Sequence, residues 1–81
     1  MVLITTEYTK LDKENQIVEL TYFVDNQVVV KLIFDYNKDT TEINGNLYDL
    51  IGWKHTEEDK NKYENYIQIQ KWFAKEILNK I

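Results

Sequence analysis

The run Val28-Val29-Val30-Lys31-Leu32-Ile33-Phe34 decides how this chain folds. It is rich in β-branched and aromatic residues and holds a single charge. Asp25-Asn26 precedes it and Asn37-Lys38-Asp39 follows, so it reads as a strand rather than a helix. Alternation puts Val28, Val30, Leu32, Phe34 and Tyr36 on one face. Val29 and Ile33 fall on the other, beside Lys31 and Asp35. A strand apolar on one face and half apolar on the other is expected to have material packed over both.

Upstream, Gln16 to Val24 reads as a second strand, with Val18, Leu20, Tyr22 and Val24 on one side and Ile17, Glu19, Thr21 and Phe23 on the other. A slip of one residue in register would send every side chain to the opposite face. Matching the two apolar faces therefore needs an odd loop. A three-residue loop, Asp25-Asn26-Gln27, with Asn26 or Gln27 near the left-handed region satisfies this. Val24 then pairs with Val28, Tyr22 with Val30 and Leu20 with Leu32. Residues 2–9 alternate weakly and form a first strand, and Lys10 to Asn15 form a turn. In that register a row Leu3–Phe23–Val29 crosses the reverse face of the sheet.

Downstream, Asn44-Gly45 is a type I′ turn signal, which makes 40–51 a short fourth strand or a small hairpin. The alternative is that Asn46 caps one helical turn carrying Leu47, Leu50 and Ile51. Thr56, with Asp59 three residues on, then opens a helix over about 57–80, uninterrupted by Gly or Pro. Glu57, Glu58 and Asp59 suit its positive end, and Lys75 and Lys80 its negative end. Tyr63, Tyr66, Ile67, Gln70, Phe73, Ala74, Ile77, Leu78 and Ile81 share one face and form the core stripe. Trp72 points away from that stripe, and Ile69 lies at its edge. The expected fold is α+β: an antiparallel meander of three or four strands, then one long C-terminal helix packed on one sheet face, all in a single domain, 1–81.

Composition closes off several function classes. The chain has 81 residues, no Cys, 14 acidic residues against 10 basic, all of them Lys, and a net charge of −4. Without Cys there is no zinc finger, iron–sulfur site or thiol chemistry. With no Ser either, the lone His55 has no recognisable nucleophile to activate, and no glycine-rich phosphate loop exists. Asp35-Tyr36-Asn37-Lys38-Asp39 resembles the opening of a calcium loop. Thr40, Glu42 and Asn46 stand where such a loop needs Gly, an apolar residue and Glu. His55 with Glu57, Glu58 and Asp59 offers one imidazole, and the acids are already explained by the helix start. No enzyme activity, cofactor or metal is therefore expected.

Lack of Arg and an acidic balance make nucleic acid an unlikely partner. The rival reading, a small nucleic-acid-binding regulator, would use Lys54, Lys60, Lys62 and Lys71. The start of the chain lacks the features of a signal peptide, and no apolar run reaches spanning length, so a soluble cytoplasmic protein without a membrane is expected. Scarcity of residues with GC-rich codons points to an AT-rich genome, such as that of a low-GC bacterium, its phages or plasmids, or a thermophilic archaeon and its viruses.

What remains is protein binding. One helix covers one sheet face, leaving Ile69 with Trp72 outside the core stripe and Leu3, Phe23 and Val29 behind the sheet. A small core is also commonly supported by association. The expected function is a small acidic, non-catalytic protein–protein interaction module, a homodimer or a binder of a host protein. One form of it is a phage- or mobile-element-encoded inhibitor of a host nuclease or defence complex. In that form Glu57, Glu58, Asp59 and Glu64 would occupy a basic channel.

Overall fold

The computed structural model describes residues 3–81. Four antiparallel strands form a meander in the order β1-β2-β3-β4, with β1 spanning Ile4–Asp12, β2 Ile17–Val24, β3 Gln27–Asp35 and β4 Thr40–Asn44. A five-residue helix α1, Leu47–Ile51, and a 24-residue helix α2, Glu57–Lys80, follow. The fold is α+β. Its shortest extent, 18 Å, is the thickness of one sheet plus one helix layer. Of the residues assigned to the first strand by alternation, Val2 lies outside the described residues.

The β2–β3 register pairs Leu20 with Leu32 and Tyr22 with Val30, as the apolar pattern requires. The route to it differs from the expected loop. The turn holds two residues, Asp25 and Asn26, both with positive φ (51° and 70°), the type I′ pattern whose twist matches the flanking strands. Val24 consequently pairs with Gln27 and Phe23 with Val28. That even loop would invert the remaining pairs, and a β-bulge on β3, with Val29 as the extra residue opposite the Tyr22–Phe23 step of β2, restores them. Val28 therefore leaves the core face and stands 54% exposed. The proposed row Leu3–Phe23–Val29 is also replaced, since Phe23 sits between Thr5 and Val28. Leu3 lies past the last pair, where its carbonyl accepts from the Asp25 amide at 3.1 Å.

Residues 40–51 combine both readings of that segment. Thr40–Asn44 joins the sheet, and Asn46 then caps α1 by accepting from the Asp49 amide at 3.1 Å. No Asn44-Gly45 hairpin forms. Gly45, at φ 105°, instead takes the chain off the sheet against the bulge, where a Cβ would come within 2.4 Å of the Val29 carbonyl oxygen. Leu47 enters the core, and Gly52 ends α1 in the left-handed region.

The core lies between the sheet and α2. It comprises Val18, Leu20, Tyr22, Val30, Leu32, Phe34, Leu47, Ile67, Ala74 and Leu78. Ala74, the only alanine in the chain, is fully buried and leaves room for close approach of helix and sheet. Two tyrosines pin the helix. Tyr22 and Tyr66 share a hydroxyl–hydroxyl hydrogen bond of 2.5 Å, and Tyr36 donates to the Lys71 carbonyl at 2.5 Å. Thr56 caps α2 by accepting from the Asp59 amide at 3.2 Å.

Two predictions follow from this packing. Gly45→Ala combines an unfavourable positive φ with a backbone clash, so chemical denaturation should show a loss of about 2 kcal/mol or more. Burial pushes the Tyr36 phenol up to about 12, and burial followed by the bond to Tyr66 pushes Tyr22 up further. Phenols raised in the folded state hold their protons after the unfolded chain has lost them. Their stabilisation is complete below the unfolded value of 10.0 and is lost as pH rises beyond it. The melting temperature should fall steeply above pH 10, and Tyr36→Phe should flatten that fall.

Candidate interaction face

Three elements fix how α2 is rotated. Ile67, Ala74 and Leu78 point into the core. On one flank Lys71 reaches Asp39 in the β3–β4 turn at 2.8 Å, and Lys75 lies over the Tyr36 ring, 5.0 Å from its centroid. The side chains opposite the core are then dictated by the 3.6-residue period. Ile69 and Trp72 are 51% and 59% exposed, and Phe73 is 47% exposed. Trp72 and Phe73 pack edge-on with ring centroids 5.1 Å apart. Polar and charged residues, Asn65, Gln68 and Glu76, surround the three.

Phe73 corrects the core stripe expected from spacing. It lies on the flank away from Lys71, toward β1, whose Ile4 and Leu11 are themselves exposed. The bulge between Tyr8 and Lys10 adds twist to β1, and α2 sits over β2 rather than reaching across to the edge strand. Ile81, also assigned to the stripe, is exposed past the end of α2, where its carbonyl accepts from the Lys13 ammonium.

The reverse face of the sheet has a different character. Both helices lie on the opposite side. At its centre Thr21 is fully buried by polar neighbours, sharing a 2.6 Å hydroxyl–hydroxyl hydrogen bond with Thr9. Glu19 accepts from Thr9 at 2.9 Å and meets Lys31 at 3.4 Å. Apolar side chains remain at the corners: Leu3, Phe23, Val28 and Val29 at one end, Ile17 and Ile33 at the other. An antiparallel sheet with one solvated, mixed face is a common arrangement. Among the sites expected from sequence, the structure therefore brings Ile69 and Trp72 together on α2, and separates them from Leu3, Phe23 and Val29.

Glu57, Glu58 and Glu64 are exposed along the first turns of α2. Asp59 is occupied locally, its carboxylate accepting from the Lys54 amide at 2.6 Å. Glu64 also lines a cleft of about 410 Å³ between α2 and β4, with Thr41, Ile43 and Ile67. Of the lysines proposed for nucleic acid, Lys62 faces Glu58 at 3.5 Å and Lys71 is held by Asp39, whose carboxyl that hydrogen bond lowers from its ordinary value. The four do not form a free basic stripe. Asp35, first residue of the calcium-loop lookalike, accepts from the Asn37 and Lys38 amides at 3.1 Å each, an Asx turn.

Sequence reasoning left Trp53 without a place. It packs edge-on against Tyr63 and Tyr66, 5.6 and 5.5 Å between centroids, while Tyr48 lies 5.1 Å from Tyr63. This cluster ties α1 to the start of α2. A tryptophan directly after the helix-ending Gly52 was its one visible signal.

The chain matches no family model, no curated protein and no solved structure. No helix among the described residues is long and apolar enough to cross a membrane.

The two exposed and buried sets should separate cleanly by stability. At protein concentrations low enough for the chain to be monomeric, Trp72→Glu should change unfolding free energy by no more than about 0.5 kcal/mol. Leu32→Ala, in the core, should lower it by about 2–5 kcal/mol in the same denaturant titration.

Proposed function

We propose that this chain is a non-catalytic protein–protein interaction module, working in the cytoplasm and making its contact through the outer face of α2. The observation that carries the reading is the grouping of Ile69, Trp72 and Phe73 on a rigid helix, turned away from the core and ringed by polar side chains. A tryptophan so placed is a typical interface anchor, because it buries a large area at little cost in side-chain entropy. Support for the absence of catalysis comes from composition: no Ser, no Cys and a single His. A more specific form of the same reading is an inhibitor, encoded by a phage or mobile element, of a host nuclease or defence complex. The exposed carboxylates Glu57, Glu58 and Glu64 would then face the basic surface of the target.

Position-specific photo-cross-linking in the source cells tests the reading. A benzophenone side chain placed at Trp72 or Ile69 should yield discrete protein adducts, and one at Lys31 on the reverse face should yield none. Absence of adducts from both helix positions would remove the proposal.

A further inference from the structure

The outer face of α2 carries a row of side chains that is its own complement. Ile69 stands at its middle. Lys62 lies seven residues before Ile69 and Glu76 seven after, while Glu58 lies eleven before and Lys80 eleven after. In a helix of 3.6 residues per turn, seven residues fall about 20° short of two turns and eleven run about 20° past three. All four charges therefore share the direction of Ile69 to within about 20°. Glu58, Lys62 and Lys80 are exposed and Glu76 is partly so. Asn65 and Phe73 stand four residues to either side. From first to last the row reads acid, base, amide, aliphatic, aromatic, acid, base.

Resting on the reading that this face is the contact surface, we infer that its occupant is a second copy of the chain, with the two α2 helices antiparallel about a two-fold axis at Ile69. Turned end for end, the row sets Lys62 of one copy opposite Glu76 of the other, both about 10.5 Å from the axis at 1.5 Å per residue. Glu58 and Lys80 meet likewise at about 16.5 Å. The symmetry makes four opposite-charge pairs around an apolar centre of two Ile69, two Trp72 and two Phe73 side chains. Asn65 of each copy comes beside the aromatic pair of the other, within reach of the Trp72 indole N–H. A parallel pairing would set Glu on Glu and Lys on Lys at all four positions. Isologous contacts of this kind require a self-complementary patch, and this row is one. Of the two edge strands, β1 is interrupted by its bulge and by Lys10, and β4 is only five residues long, all devices that discourage pairing between edges.

Sedimentation equilibrium on the full chain and its charge variants tests the arrangement, with circular dichroism confirming that helix content is unchanged. Wild type should be dimeric. Lys62→Glu and Glu76→Lys each put like charges opposite one another twice and should weaken the dimer about tenfold. The double variant restores opposite pairing and should recover most of that loss. Because the chain has no Cys, Ile69→Cys supplies a second readout. It lies on the axis and should oxidise to a covalent dimer, whereas Lys31→Cys should not. A monomer at every concentration up to about 1 mM, or a double variant no tighter than either single one, would overturn the proposal. If the chain is monomeric yet Trp72 cross-links to a different protein, the second copy is wrong and the interaction module stands. If neither is seen, both fall.

Discussion

The register of β2 on β3 is the constraint on which the rest of this molecule depends. It places Val18, Leu20 and Tyr22 with Val30, Leu32 and Phe34 on one face and so creates the apolar surface that holds the helix. The local chain does not lead there directly. A two-residue turn through Asp25 and Asn26 is the geometry that matches strand twist, yet alone it would invert the pattern. The bulge at Val29 on β3 reconciles the turn with the core. Gly45 then fits against the bulged backbone, where no side chain has room, and directs the chain toward α1. Turn, bulge and glycine act as one unit at that end of the sheet.

A one-sided core has consequences for the surfaces. Because α1 and α2 both serve the same sheet face, the reverse face solves its burial by side-chain hydrogen bonds and an ion pair over Thr21. The helix cannot do likewise. Its inward arc is narrow, and Ala74 at the centre brings it close to the sheet. Apolar side chains beyond that arc, at Ile69, Trp72 and Phe73, have no strand beneath them. Two tyrosine hydrogen bonds and the Lys71–Asp39 pair fix the rotation of the helix, so the exposed set is presented rigidly. Such pre-ordering lowers the entropy lost on association.

Much of this was legible from residues alone. Alternation in 17–24 and 27–35, and the 3.6-residue pattern after Thr56, were long enough to give element type, order and the capping residue. Trp72 and Ile69 stood out because they broke a pattern that was otherwise complete. The misreadings share a cause. Val28, Phe73 and Ile81 have the right period for the core but lie where the sheet bulges, where β1 is left uncovered, or past the end of the helix. Periodicity reports direction along an element and carries no information on whether another element lies there. The 40–51 segment was ambiguous because Asn44-Gly45-Asn46 serves equally as a hairpin turn or as a strand exit followed by a helix cap. Backbone packing against Val29 settles that choice, and it is a contact between residues far apart in sequence.

The central proposal is that the outer face of α2 is the contact surface of this molecule. The chain's two tryptophans give separate reporters of it: Trp53 packed between helices and Trp72 at the proposed interface. A dilution series followed by two-dimensional amide and indole NMR is the most direct measurement. The account predicts that the Trp72 indole signal and the amides of residues 62, 65, 69, 73 and 76 move together with concentration, while Trp53 and the reverse-face amides of Thr21, Phe23 and Lys31 stay fixed. Concentration-dependent shifts at the reverse face or along β1, with the Trp72 indole unmoved, would contradict it.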